Sequence, residues 1–170
     1  MTLVLLLGGA RSGKSALALE RGRAWGGPVT LIATGEAGDE EMAERIRRHR
    51  AERPSEWSTI EEPLDLAGAL ARVDDDSAAL IDCLSLWVAN LLGRGDGDDA
   101  VEEQAAAVAA QAAARGGLTV AVSNEVGLGV VPDTALGRRY RDVLGRVNAN
   151  WAAAADEAQF VVAGRPLRLG

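Results

Sequence analysis

The 170-residue chain holds one lysine, one histidine and one cysteine: Lys14, His49 and Cys83. A single cysteine excludes an intramolecular disulfide and any zinc site built from several cysteines, and it fits a reducing compartment. Long hydrophobic runs are missing as well. The apolar stretch Leu3–Leu7 is far too short for a membrane span or a signal-peptide core, and it leads into a glycine-rich loop rather than a cleavage site. No membrane span and a cytoplasmic location are therefore expected. Basic charge is scarce, and the net charge of -7 argues against a broad nucleic-acid-binding surface. A local basic cluster can still hold a small polyanion, so no nucleic-acid partner is expected but a nucleotide is.

Against seventeen arginines, the lone lysine stands in Gly8-Gly9-Ala10-Arg11-Ser12-Gly13-Lys14-Ser15, the G-x-x-x-x-G-K-[ST] phosphate loop. The run Leu3–Leu7 reads as a strand before it, and a helix opens near Lys14 after it. That context turns the pattern into a mechanism. Backbone N–H groups of the loop surround the phosphates of a nucleoside triphosphate, and the helix N-terminus adds positive potential. Lys14 then reaches the β- and γ-phosphates, while the Ser15 hydroxyl binds Mg²⁺.

Length allows one domain, residues 1–170, with a substantial core. Apolar runs at Leu3–Leu7, Val29–Ala33, Ala78–Ile81, Leu118–Ser123 and Gln159–Ala163 read as strands, with a further strand at Pro166–Leu169. Helices are expected over Lys14–Trp25, Asp39–Glu52, Pro63–Arg72, Leu84–Leu92, Asp99–Ala114 and Thr134–Ala155. Short apolar runs alternating with longer helical segments predict an α/β, phosphate-loop NTPase-like fold, with a mostly parallel sheet and helices on both faces. The stretch Gly93–Asp99 is the most loop-like, and its acidic end suits the start of the alanine-rich helix that follows.

Four apolar residues, Ala78–Ile81, deliver Asp82 to the end of a strand. There it could hold Mg²⁺ or accept a proton from a hydroxyl substrate, or it could simply cap the next helix. Cys83 beside it reads as a small buried residue rather than a nucleophile. His49 shares a helical face with Met42 and Ile46, a position that a hydrogen-bonded core histidine also takes. Its neighbours Arg47, Arg48, Arg50 and Arg53 disfavour imidazolium and attract a triphosphate, and a neutral imidazole is a competent nucleophile for phosphorus. Some of these arginines can equally pair with Glu41, Glu44 and Glu52 on a solvated face. Arg138, Arg139, Arg141 and Arg146 divide in the same way between phosphate binding, a subunit interface and a solvated face.

The loop Gly8–Ser15, the segment Asp39–Arg50 with His49, then Arg53-Pro54, Trp57 and Glu61, the stretch Asn124–Pro132 and Gly145-Arg146-Val147-Asn148 together resemble the bifunctional adenosylcobinamide kinase/adenosylcobinamide-phosphate guanylyltransferases of cobalamin biosynthesis. The resemblance implies two reactions. A nucleoside triphosphate, ATP or GTP, phosphorylates adenosylcobinamide; GTP then guanylylates a histidine, which hands GMP to adenosylcobinamide phosphate. His49 matches that histidine. The family's GTP contacts map onto Gly8–Ser15, Ala33-Thr34-Gly35, Arg50-Ala51-Glu52-Arg53, Glu61 and Asp82, and some relatives carry glutamate where Asp82 stands. A homotrimer is implied on the same basis alone. A simple phosphate-loop kinase, for which His49 is dispensable, and a nucleotide-binding regulatory module, which makes no product, are the alternatives.

Overall fold

The computed structural model describes residues 2–36, 40, 44, 47, 50 and 54–170. Its elements run β1 (Thr2–Gly8), α1 (Lys14–Trp25), β2 (Val29–Ala33), β3 (Ser58–Glu61), α2 (Leu66–Ala71), β4 (Ala78–Asp82), α3 (Leu84–Arg94), α4 (Asp98–Ala114), β5 (Leu118–Asn124), α5 (Ala135–Ala154), β6 (Glu157–Val162) and β7 (Arg165–Leu169). The expected helix over residues 39–52 falls largely outside the described residues. Those of its residues that are described, Glu40, Glu44, Arg47 and Arg50, are helical.

Seven strands form one sheet in the order β3-β2-β4-β5-β1-β6-β7. All neighbours pair parallel except β6 and β7, which form an antiparallel hairpin. The parallel strands β1, β4 and β5 are covered on both faces, which explains the unbroken apolar runs of β1 and β4; in β5 the run is interrupted by buried Thr119. Alternation sorts β1: Leu3, Leu5 and Leu7 join the core with α2, α3, α4 and α5, whereas Val4 and Leu6 pack on the α1 side with Ala18. The predicted α/β phosphate-loop fold is thus the one observed, with its described helices distributed one against four.

Three boundaries differ from expectation for identifiable reasons. Edge strand β3 is an addition: Ser58-Thr59-Ile60-Glu61 has one apolar residue, and that residue is only partly buried. Helix α2 is shorter than residues 63–72. The Glu62 carboxylate accepts from the N–H groups of Leu64 and Asp65 at 3.1 and 3.0 Å, and Asp65 caps the helix by accepting from Gly68 N at 2.9 Å. Ala163 lies in the β6–β7 turn rather than in a strand, with φ of 51° followed by Gly164 at 75°.

Candidate active site

The C-terminal ends of the parallel strands gather the expected groups on one edge of the sheet. Glu61, Ala33 and Asp82 stand in register on β3, β2 and β4. Asp82 is level with Val122 of β5, which pairs with Leu6 of β1, two residues before Gly8. In such folds a ligand binds in the crevice beyond these strand ends.

Phosphate loop Gly8–Ser15 joins β1 to α1 through two left-handed residues, Arg11 at φ 55° and Gly13 at φ 100°. Gly13 is the N-cap of α1 and offers no side-chain acceptor, so the first N–H groups of the helix remain directed at a prospective anion. A β-carbon on Gly13 would stand 3.0 Å from the Gly164 α-carbon, while Gly164 N donates to Ser12 O at 2.7 Å. The β6–β7 turn therefore braces the loop from outside. Lys14 is buried and curls back over the loop, its Nζ donating to Gly9 O at 2.6 Å and Ser12 Oγ at 3.4 Å. Ser15 follows in the first turn of α1, half-buried.

Thr34 locks the neighbouring strand ends together. It is fully buried; its Oγ1 donates to Cys83 O at 2.7 Å and accepts from Cys83 N at 2.9 Å, and its own N–H donates to Asp82 O at 3.1 Å. Asn90 of α3 completes the lock by donating to Thr34 O at 2.8 Å and Pro63 O at 3.1 Å. Asp82 thus sits half-buried at the end of β4, and the N-cap of α3 is Cys83, not Asp82. Burial first, and the adjacent Asp82 charge second, push the Cys83 thiol above its ordinary range, which keeps it a poor nucleophile.

On the β3 edge, Arg50 pairs with Glu61 beside a cleft of about 250 Å³ that Pro54, Ser55, Trp57 and Thr59 also line. Arg50 and Glu61, two of the predicted GTP contacts, are therefore brought together. With strands about 4.8 Å apart, the four steps from β3 to β1 put this cleft roughly 19 Å across the sheet from the phosphate loop. His49, Ala51, Glu52 and Arg53 lie outside the described residues.

Sequence reasoning missed a buried polar clamp at the end of β5. Strand β5 outruns β4: their pairing ends at Val122, so Asn124 has no partner strand on that side among the described residues. Side chains supply the missing ladder. Ser85 Oγ accepts from Asn124 N at 2.8 Å, and Asn148 Nδ2 donates to Asn124 O at 3.0 Å while its Oδ1 accepts from Ser123 Oγ at 2.6 Å. Tyr140 OH donates to Ser85 O at 3.1 Å; burial raises its pKa and keeps it a donor. The clamp carries the chain to Glu125, whose N–H donates to Gly8 O at 3.0 Å. A legible signal was Asn148 on the same face of the helix as apolar Leu144 and Trp151. Replacing Asn148 by leucine leaves the Asn124 carbonyl and Ser123 hydroxyl unsatisfied, an expected loss of about 2–3 kcal/mol. A thermal melt should register a fall of roughly 5–10 °C, and an unchanged melting temperature would show the clamp to be dispensable.

The arginines of α5 have local partners. Arg139 Nε donates to Asp98 at 2.6 Å and Arg146 Nε to Glu102 at 2.5 Å, which ties α5 to α4, while Arg138 holds the carbonyls of Pro132 and Asp133.

Comparison with known proteins gives this arrangement its context. The family model described as cobinamide kinase / cobinamide phosphate guanyltransferase matches residues 4–169. The chain belongs to this family. A member from Pseudomonas aeruginosa, the bifunctional adenosylcobalamin biosynthesis protein CobP, is 45% identical over 166 residues, covering 97% of this chain and 95% of that protein. The bifunctional adenosylcobalamin biosynthesis protein CobU of Escherichia coli is 38% identical over 175 residues, with 95% and 96% covered. Family membership makes the chain an enzyme and sets aside the regulatory-module alternative. Among solved structures, an ATPase domain superposes with a TM-score of 0.55 at 14% identity, covering 94% of this chain and 68% of that one, a likeness of fold alone.

Proposed function

We propose that this chain phosphorylates adenosylcobinamide with a nucleoside triphosphate, ATP or GTP, and then guanylylates His49 with GTP and passes the GMP to adenosylcobinamide phosphate. The observation that carries the reading is a complete phosphate loop, braced and holding Lys14, on the same sheet edge as Asp82, in a chain that matches the family over residues 4–169.

In the first reaction the acceptor hydroxyl attacks the γ-phosphorus, and the nucleoside diphosphate departs. The N–H groups at the start of α1, with Lys14, orient the triphosphate and offset the charge that builds on its oxygens. In this proposal Asp82 takes the hydroxyl proton or holds a cation. Ser15 and Asp82 are hard oxygen donors of the kind Mg²⁺ takes, and the ion when bound would neutralise phosphate charge.

In the second reaction the neutral imidazole of His49 attacks the α-phosphorus of GTP; a P–N bond forms and pyrophosphate leaves. A phosphate oxygen of adenosylcobinamide phosphate then attacks the same phosphorus, the P–N bond breaks, and adenosylcobinamide-GDP results. Passing through histidine divides one difficult displacement into two. Arg50 to Arg53, with Glu61 and the strand end Ala33–Gly35, supply the remaining GTP contacts in this proposal. Assembly as a homotrimer in the cytoplasm belongs to it too, on the strength of the family resemblance.

Isotope position tests the covalent step. GTP labelled at the α-phosphate should leave acid-labile, alkali-resistant label on His49 with release of pyrophosphate, because protonating the ring nitrogen makes it a good leaving group. Label at the γ-phosphate should not remain there, and adenosylcobinamide phosphate should discharge the α-label into product. Label on a serine or on Cys83, or no covalent species during turnover, would refute the histidine mechanism.

A further inference from the structure

Between Glu125 and Asp133 the chain runs Val126-Gly127-Leu128-Gly129-Val130-Val131-Pro132, seven residues without a charge. Three of its side chains stand in solvent: Leu128 is 77% exposed, Val130 93% and Val131 61%. Three such side chains exposed within a run of four residues mark a contact surface rather than the packing of the fold.

Both ends of this segment are fixed. Its root is Glu125, whose N–H bonds Gly8 O and whose Oε1 accepts from Gly127 N at 2.7 Å. At its far end Arg138 Nη1 donates to Pro132 O and Asp133 O at 2.9 and 2.8 Å, and Thr134 caps α5 by accepting from Gly137 N at 3.0 Å. A β-carbon at Gly129 would meet nothing within 4 Å, so that glycine leaves the surface low and open instead of relieving a clash. The segment is a lip beside the phosphate loop.

We propose that this lip is the acceptor subsite: Leu128, Val130 and Val131 bear on the apolar rim of the corrin macrocycle while the phosphate loop, hydrogen-bonded through Gly8 to the root of the segment at Glu125, holds the nucleotide. The proposal rests on the kinase reading above. In-line transfer brings the acceptor oxygen to about 3–3.5 Å from the γ-phosphorus. The bulk of the acceptor must then lie on a surface bordering the phosphate loop. The nucleotide, a polyanion, takes the N–H groups and cations of the loop. A corrin ring presents methyl groups and neutral amides, and an uncharged apolar lip suits them. On the other flank of the loop, the β6–β7 hairpin exposes Val162, Leu167 and Leu169, but these are interspersed with the exposed cations Arg165 and Arg168, whereas the lip carries no charge.

The test is the double variant Leu128→Asn/Val130→Asn, two exposed positions whose change leaves the core untouched. KM for cobinamide should rise at least tenfold, and cobinamide binding measured by absorbance titration should weaken by the same factor. KM for the nucleotide, the melting temperature and the sedimentation mass should stay at wild-type values. Unchanged cobinamide binding in the variant would overturn the proposal, and so would a fall in sedimentation mass, which would make the lip an assembly surface. The kinase reading fails separately. Wild-type protein that binds cobinamide, loses that binding in the double variant, yet never phosphorylates it would uphold the subsite and refute the reaction.

Discussion

Lys14→Ala is expected to abolish phosphoryl and guanylyl transfer together while leaving the fold in place. One ammonium serves the triphosphate in both reactions, since the loop binds the nucleotide whichever phosphorus is attacked. Its removal takes away a charge-assisted contact in a buried site, about 3 kcal/mol or roughly a hundredfold in rate at the least. The fold has other supports: the loop keeps Gly164 N on Ser12 O, and the α1 ladder begins independently with Leu17 N on Gly13 O. Lys14→Arg should fare little better, because a planar guanidinium cannot curl over the loop to Gly9 O as the flexible lysine stem does. Both rates should be measured on protein with an intact thermal transition. Near-normal turnover by a folded Lys14→Ala protein would remove the phosphate loop from the mechanism.

His49→Ala should instead separate the two reactions. Guanylylation loses its nucleophile and should fall by on the order of a thousandfold or more, whereas γ-phosphoryl transfer asks nothing covalent of histidine. Accumulation of adenosylcobinamide phosphate, with no adenosylcobinamide-GDP, is the expected product pattern when the variant is supplied with ATP, GTP and adenosylcobinamide. Equal loss of both products in a correctly folded variant would contradict a dedicated transfer role. Full retention of both would show that guanylyl transfer proceeds without a histidine intermediate.

The parts of the architecture that were legible are those where one physical requirement dominates. Burial on both faces forces continuous apolar runs, so β1, β2, β4 and β5 could be read directly, and Lys14–Trp25 emerged with its observed bounds. Asp98 and Asp99 in the first turn of α4 announce themselves through charge. Where tertiary context decides, the reading faltered. Strand β3 exists because β2 offers it an edge, not because Ser58–Glu61 favours extension. The chain at Glu62–Asp65 becomes a carboxylate-capped turn, whereas a pattern of apolar spacing extends the helix back to Pro63.

The site divides along the same line. Phosphate-loop glycines and lysine carry their chemistry locally, and the motif is visible in eight consecutive residues. Thr34 is among the expected nucleotide contacts, but its engagement with the Cys83 peptide depends on two strands ending side by side. The clamp of Ser85, Tyr140 and Asn148 joins residues from two helices to a strand, and no local pattern brings the three together. Asn148 belongs to one of the family-like stretches, yet its role appears only once β5 is seen to outrun β4.

Strand β1 is the earliest in the chain and pairs solely with two of the latest, β5 and β6. On a ribosome it must therefore wait for roughly 100 further residues, on the order of ten seconds at ordinary elongation speeds, before its first sheet partner emerges. Contacts between such distant segments are slow to close, and the five apolar residues Leu3–Leu7 stay uncovered for that interval. The nascent protein thus acquires its capacity for nucleotide last. Neither the first residues of the loop nor its brace at Gly164 can be in place until β5, β6 and the turn after it have been made, so a chain that stalls before them carries an incomplete phosphate cradle and consumes no triphosphate.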